Sequence, residues 1–359
     1  MACRPALSPQ LHSIVKNGGI CLCITHWFWG TPFPLRDIPF IPDISPFMKP
    51  ALFLLPFLST LLIAQQPATD ADFGIQGEYA QDAAGQKGPA VQLIALGHGK
   101  FRAVCYKRGL PGAGWDGKWA SVLQQEGSRS GDSGPVTFDG ADLKGEAVEG
   151  KFRLKGPAGK SLELSRIERK SPTLGMKPPK GAVVLFGEGA NLFSADKVSP
   201  EGLLMQGAKT TETFGSFSLH IEFQLPYMPE STGQQRGNSG LYLQGRYEIQ
   251  MLDSFGLEGL DNECAGIYQI ARPVQNLCFP PLTWQTYDID FTAATFKGDD
   301  KRKKATVTVR HNGFIVHKDL ELPGPTGGAV LKDTEELGPI LLQDHGNPVR
   351  YRNIWVVRK

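Results

Sequence analysis

The chain lacks any strong excess of one charge: 38 basic and 36 acidic side chains leave a formal net charge of +2. That balance gives no electrostatic footprint for a nucleic-acid partner. Cysteine is sparse, six in 359 residues. No C-x-x-C pair or His-x-His spacing occurs, which leaves a structural zinc site without support. No long helical period runs through the chain, which argues against a helical bundle. A spanning apolar run is missing as well. Residues 51–64 (ALFLLPFLSTLLIA) contain Pro56 and fall short of the roughly 20 residues that a membrane helix needs.

That apolar stretch has another reading. Met48 and Lys49 precede it and small or polar residues follow it, the make-up of a secretory signal over residues 48–64. A signal belongs at an N-terminus, so residues 1–47, with their mix of Trp, Pro and Cys, read as a non-translated leader ahead of a start at Met48. Export then places the mature protein in the periplasm or outside the cell. No stable membrane span is expected after signal cleavage. Cys3, Cys21 and Cys23 fall in the leader. Of the remaining three, Cys264 and Cys278 bracket a short loop and are expected to form a disulfide in an oxidising compartment. Cys105 is left as a free, buried thiol.

What the chain has in quantity is glycine and proline, 42 and 27 residues, spread between short apolar runs. Many turns and many strands follow. Residues 72–169 read as a small β-rich domain with short runs such as 91–95 and 101–106. Residues 170–181 (KSPTLGMKPPKG) carry three prolines and read as a semi-rigid linker. Beyond it, residues 182–359 alternate cleanly. Phe217, Leu219, Ile221, Phe223 and Leu225 oppose Ser218, His220, Glu222 and Gln224; Tyr287, Ile289 and Phe291 oppose Thr286, Asp288 and Asp290. Asn312-Gly313 is the turn dipeptide most favoured in two-residue hairpins. Strands with one apolar face bury it against another sheet, so the expected fold is all-β, an antiparallel sandwich or jelly roll behind a smaller β-rich domain. The basic run Lys301-Arg302-Lys303-Lys304 reads as a solvated loop.

Residues 237–254 (GNSGLYLQGRYEIQMLDS) carry the most chemistry. Leu241, Leu243, Ile249 and Met251 alternate with Tyr242, Glu248 and Gln250. A three-residue loop of Gln244, Gly245 and Arg246 pairs Glu248 with Tyr242, whereas a two-residue loop would put Glu248 beside Leu243; the former is preferred. A bulge at Met251-Leu252 would bring Asp253 to the polar face beside Glu248 and Gln250. The resulting Glu-x-Gln-x-x-Asp resembles the Glu-x-Asp-x-x-Glu arrangement of laminarinase-type glucanases, and two acids on one face suit acid-base work on a sugar. A polar, solvent-facing strand with incidental acids has the same spacing. Glu222, beside His220 on its own strand, is a reserve base. His345, in Gln343-Asp344-His345-Gly346 after an apolar run, stands where a strand meets a loop. Tyr268 and Trp284 are candidates to stack on sugar faces or to pack in the core. Gly112–Lys118 (GAGWDGK) fits a phosphate-loop pattern, but Trp119 stands where Ser or Thr is needed, so it reads as a turn.

The blocks at residues 237–254, 264–268 (CAGIY), 284–289 (WQTYDI) and 338–356 (GPILLQDHGNPVRYRNIWV), in that order and spacing, resemble the 3-keto-disaccharide hydrolase domain. The resemblance covers residues 182–359 and leaves 72–169 outside it. It implies a concanavalin A-like sandwich in an exported bacterial protein that acts on glycosides oxidised at C3. Within these blocks Glu248, Asp253 and His345 are the candidate catalytic residues, and Glu222, outside them, is the reserve. Tyr242, Arg246, Gln250, Tyr268, Trp284 and Gln343 are the candidate substrate-binding residues. The expected partner is a carbohydrate substrate, no cofactor is expected, and metal dependence stays open. A non-catalytic carbohydrate-binding module on the same sandwich is the alternative, and a scaffolding protein a third, since one fold hosts all of these.

Overall fold

The structure, a computed structural model, describes residues 70–359 apart from 132, 149, 157–159 and 195–196. The expected leader and signal peptide, with Cys3, Cys21 and Cys23, lie outside the described residues. Eight strands form a closed antiparallel barrel in chain order: β1 (Gly77–Ala80), β2 (Ala90–Ala95), β3 (Lys100–Tyr106), β4 (Leu123–Arg129), β5 (Val136–Asp139), β6 (Lys144–Val148), β7 (Lys151–Lys155) and β8 (Ser161–Ile167). Pairing of β1 with β8 removes the exposed edges. Alternation fills the interior: Val91, Leu93 and Ala95 of β2 meet Phe101, Phe138 and Phe152. The other face of β2 is buried too, Ile94 packing with Val104, Trp115 and Phe255. Phe255 belongs to the second body, so the barrel has no free side there. The neighbouring Gly256 fits because a Cβ on it would come within 2.4 Å of Ile94.

The second body is the sandwich. Its strands are β9 (Val183–Gly187), β10 (Ala190–Asn191), β11 (Leu204–Met205), β12 (Phe217–Gln224), β13 (Ser239–Leu243), β14 (Tyr247–Met251), β15 (Trp284–Thr292), β16 (Thr295–Lys297), β17 (Asp300–Lys303), β18 (Ala305–His311), β19 (Phe314–Leu322), β20 (Leu341–Leu342) and β21 (Arg350–Arg358). The large sheet runs β10-β9-β21-β12-β15-β18-β19 with β11 on β21, and the small sheet runs β14-β13-β20. Between them lies one apolar core. Phe217, Leu219, Ile221 and Phe223 of β12 face Leu241, Leu243, Ile249 and Met251 of β13 and β14. The all-β sandwich expected from the alternation is therefore the observed fold.

Two hairpins form as their turn residues dictate. Asn312 and Gly313 both take positive φ, 49° and 79°, between the paired residues His311 and Phe314. The basic run, by contrast, is not a loop: Asp300–Lys303 is a strand paired with β16, and the Lys301 ammonium reaches Asp333. The proline-containing segment 170–181 joins the two bodies without hanging free. Ser171 Oγ lies 2.6 Å from Thr286 Oγ1, Thr173 donates to Asp288 at 2.7 Å, and the Gly175 N–H donates to Glu222 at 2.6 Å. The polar face of the large sheet thus takes up the segment's polar groups.

Candidate active site

The polar face of the small sheet collects most of the expected residues. Tyr242 pairs with Glu248 across β13 and β14, and Leu243 with Tyr247, as the three-residue loop requires. Gln244 and Gly245 take φ of 54° and 63°, and the Arg246 N–H returns to the Leu243 carbonyl at 3.0 Å. Residues 264–268 run along the free edge of β14: the Gln250 N–H meets the Gly266 carbonyl at 2.9 Å and the Tyr268 N–H meets that of Glu248 at 3.2 Å. This edge pairing brings half-buried Tyr268 to the site. From the other side, the Gln343 N–H donates to the Gly240 carbonyl at 2.8 Å. The outcome is one face carrying Tyr242, Glu248, Gln250 and Gln343, with Tyr268 at its margin.

Glu248 is 2% exposed. Its Oε2 accepts a 2.7 Å hydrogen bond from Tyr242 Oη. Burial pushes its carboxyl up to about 7, and the Tyr242 hydroxyl only partly offsets this. Its backbone N–H is tied to Thr326 Oγ1 at 2.9 Å. The side chain has room because residue 240 is glycine: a Cβ there would stand 2.0 Å from Glu248 Oε1. The Gln250 amide suits its surroundings better turned over, and its Nε2 then donates to Glu248 Oε1 at 3.2 Å. Asn238 and Gln234, which the sequence reading missed, complete an amide cluster with Gln250, whose Oε1, once turned over, lies 2.9 Å from the Gln234 side-chain amide and 3.3 Å from that of Asn238. The signal for Asn238 was its place in Gly237-Asn238-Ser239-Gly240, three residues before Leu241, the first apolar strand position. Gln343 Nε2 donates to Tyr242 Oη at 3.2 Å, while Gln343 Oε1 is buried with no hydrogen-bond partner among the described residues.

Other expected site residues lie elsewhere. Strand β14 ends at Met251 without the expected bulge inside it, and Asp253 pairs with Arg236 instead, at 2.6 Å. Arg236 Nη1 also reaches the Ala95 carbonyl of the barrel at 3.2 Å. Asp253 therefore neutralises a buried cation where the two bodies meet, because an Arg buried there must have a counter-charge. Arg246 is buried and clamps the segment above the hairpin, Nε to the Lys332 carbonyl at 2.5 Å and Nη2 to Thr334 at 3.0 Å. These bonds make it a structural strap, while its Nη1 is buried with no hydrogen-bond partner among the described residues. Trp284 starts β15 in the large sheet, and its ring carries the Arg352 guanidinium at 3.9 Å, so it belongs to a different face. His345 is exposed, two residues beyond Gln343, in a turn closed by the Gly346 N–H on Asp344 at 2.8 Å.

Glu222 sits on the polar face of the large sheet. Its carboxylate accepts from Gly175 N–H at 2.6 Å, Arg352 Nε at 2.7 Å and Asn353 Nδ2 at 2.8 Å. Burial pulls its carboxyl up, but the bonds from His220, Asn353, Arg352 and Gly175 outweigh that and hold it at about 2. An acid so held is a poor base at neutral pH. A cleft of about 260 Å³ lined by Gly175, Lys177, Glu222 and Arg352 opens beside it. The expected disulfide is absent: Cys264 and Cys278 are free, buried thiols. Cys264 Sγ lies 3.2 Å from Tyr287 Oη and Cys278 Sγ 3.6 Å from the Leu252 carbonyl, so both pack as small core groups. Cys105 is free but only partly buried. Among the described residues no group of three or more His, Cys, Asp or Glu is arranged to hold a metal ion, and no helix is long and apolar enough to cross a membrane.

Comparison with known proteins shows the family of the chain. Residues 136–357 match the family model described as the 3-keto-alpha-glucoside-1,2-lyase-like domain. The match starts in β5, so it takes in β5 to β8, which the sequence resemblance had left out; their short, turn-broken runs carry no motif. A crystal structure of a candidate glycosyl hydrolase from Parabacteroides distasonis ATCC 8503 is 34% identical, over 50% of this chain and 85% of that one, with a TM-score of 0.46. A second candidate glycosyl hydrolase from that organism is 20% identical over 50% of this chain and 99% of that one, with a TM-score of 0.34. No curated protein matches the chain.

Proposed function

Since this chain belongs to the 3-keto-alpha-glucoside-1,2-lyase-like domain family, we propose that it cleaves 3-keto-glycosides, with Glu248 as the base. A ketone at C3 acidifies the C2 proton. Glu248 takes that proton, the C2–H electron pair passes through the enolate to form the C1–C2 double bond, and the C1–O bond breaks. The leaving oxygen takes a proton from solvent water, since Asp253 is committed to Arg236. Water then adds across C1 and C2 and releases the free keto-sugar. Only one good base is needed, and the oxocarbenium-like route of ordinary glycosidases is avoided.

The observation that carries this reading is the state of Glu248. It is a buried carboxyl raised to about 7 and hydrogen-bonded to Tyr242, which suits a proton acceptor near neutral pH. Gln343 Nε2 spends one N–H on Tyr242 and has a second to offer the C3 oxygen as it gains charge, worth about 3 kcal/mol where well placed. The unpartnered Gln343 Oε1 suits a sugar hydroxyl. A binding-only module would call for an open aromatic platform, whereas Trp284 is capped by Arg352. Export through a signal starting at Met48 fits this reading, with a mature N-terminus near Gln65; mass spectrometry of the native protein that found peptides from residues 1–47 would contradict it.

The test is incubation in deuterated water with a 3-keto-disaccharide and, separately, its unoxidised parent. Cleavage of the keto form alone, with deuterium at C2 of the released sugar, is expected. Cleavage without exchange at C2 would exclude elimination.

A further inference from the structure

Tyr242 joins the proposed base to a surface segment through a single hydroxyl. Tyr242 Oη lies 2.7 Å from Glu248 Oε2 and 3.1 Å from the Gly327 carbonyl oxygen, and it accepts from Gln343 Nε2 at 3.2 Å. A phenol has one hydrogen to give. Two acceptors therefore compete for it. While Glu248 is ionised, the carboxylate is the stronger acceptor and holds the phenol hydrogen. Once Glu248 is protonated, its own O–H can donate to Tyr242 Oη, and the phenol hydrogen is free for the Gly327 carbonyl.

The segment that would feel this exchange is seated on the site and pinned at both ends. The Thr326 N–H donates to the Arg246 carbonyl at 2.9 Å, and the Val330 N–H to the Gly245 carbonyl at 2.9 Å. Between the pins lie Gly327, Gly328 and Ala329, and the two glycines are exposed. A Cβ on Gly328 would stand 2.7 Å from Tyr242 Oη, and one on Gly327 3.3 Å from the Tyr268 ring. At Gly328, whose φ is 75°, only glycine lets the backbone lie this close to Tyr242, while at Gly327 the fit against Tyr268 is merely tight.

We propose that Tyr242 is a positioning residue that passes the protonation state of Glu248 to the Gly327–Gly328 segment, so that taking the substrate's proton fastens this segment over the site. The catalytic consequence rests on Glu248 being the base; the hydrogen-bond exchange does not. The titratable groups around Glu248 are Tyr242 from β13 and Tyr268 from the edge segment. Gln250, Gln343, Asn238 and Gln234 do not titrate, nor does any side chain from Thr326 to Leu331. Asp333, further along, is engaged by Tyr247 at 2.7 Å and by Lys301.

The test is hydrogen exchange of a peptide spanning residues 327–331 in the full chain without substrate, from pH 5.5 to 8.5, corrected for intrinsic rates. Protection in the wild type is expected to be about fivefold higher at the acid end, the effect of one ordinary hydrogen bond. In Glu248→Gln, whose amide can donate to Tyr242 permanently, protection should be high at every pH. In Tyr242→Phe it should be low at every pH. A wild-type pH profile in either variant, or no pH dependence in the wild type, overturns the proposal. Exchange of the barrel strands reports whether Tyr242→Phe is folded; if it is not, the Glu248→Gln arm decides. A chain that shows this exchange pattern but leaves 3-keto-glycosides intact would refute the proposed function and leave the coupling standing.

Discussion

Glu222 and Glu248 are a natural pair for comparison. Each projects from the polar face of a sandwich strand, and they are 1% and 2% exposed. Yet one carboxyl is held at about 2 and the other is pushed to about 7. The difference lies chiefly in partners, with Glu222 also the less deeply enclosed of the two. Glu222 receives a guanidinium, an amide and a backbone N–H from β21 and the connecting segment, so its charge is neutralised and its acceptors are filled. Glu248 sits against tyrosine and amides, with no cation beside it among the described residues. Burial with a full set of donors makes a structural clasp; burial without a counter-charge leaves a carboxyl ready to exchange a proton.

The largest effect should follow from removing the second kind of carboxyl. Glu248→Gln is expected to lower kcat on a 3-keto-glycoside by about 10³-fold, within the range for loss of a general base. Stability should move the other way. A carboxyl whose value rises from 4.5 to about 7 on folding penalises the folded state above its unfolded value, and fully above the folded one. Glu248→Gln should therefore gain up to about 3 kcal/mol at pH 8 and nothing below pH 4, by the linkage between pKa and stability. Denaturant melts at the two pH values check the sign, and a loss of stability at pH 8 would break the comparison.

Next in size is Gly240→Ala. The added methyl would overlap the Glu248 carboxyl, the mobile end of a side chain. Glu248 must swing aside, so kcat is expected to fall by up to about 10²-fold, the cost of a displaced catalytic group. The melting temperature should hardly change, and a variant that unfolds instead would show the contact to be structural.

The smallest effect on rate should come from Glu222→Gln, and its effect on stability should be the reverse of Glu248→Gln. A carboxyl depressed from 4.5 to about 2 stabilises the fold above its unfolded value and loses that contribution as pH falls through the folded value. A loss of about 2 kcal/mol at pH 7 is expected, below the usual figure for a broken buried pair because Arg352 keeps contact with water. The steady-state rate should remain within about threefold if Glu222 is only a clasp.

Much of this contrast was legible in the sequence, up to a definite point. The alternation in β12, β13, β14 and β15 is dictated by period-two burial, and Gly245 fixed the hairpin register that sets Tyr242 against Glu248. Spacing could not tell which acid lacks a cation. Arg352 is 130 residues from Glu222 along the chain, and Arg236 reaches Asp253 from a separate loop, so neither pairing leaves a local trace. The Cys264 and Cys278 loop length permitted a bridge, and the two side chains do meet in the core, but as free thiols that hydrogen-bond each other. Trp284 and Arg246 were chosen for their chemistry; their neighbours give them packing roles. Gly327 and Gly328 read as loop residues until the Tyr242 hydroxyl is seen against them.

The account turns on Glu248 being a carboxyl without a counter-charge. Carbon-13 NMR titration of the glutamate side-chain carboxyls, assigned with Glu248→Gln and Glu222→Gln, measures this directly. Midpoints near 7 for Glu248 and near 2 for Glu222 are the expected result, following the causes given above. A Glu248 midpoint at 4.5 or below, in a folded protein, would contradict the account.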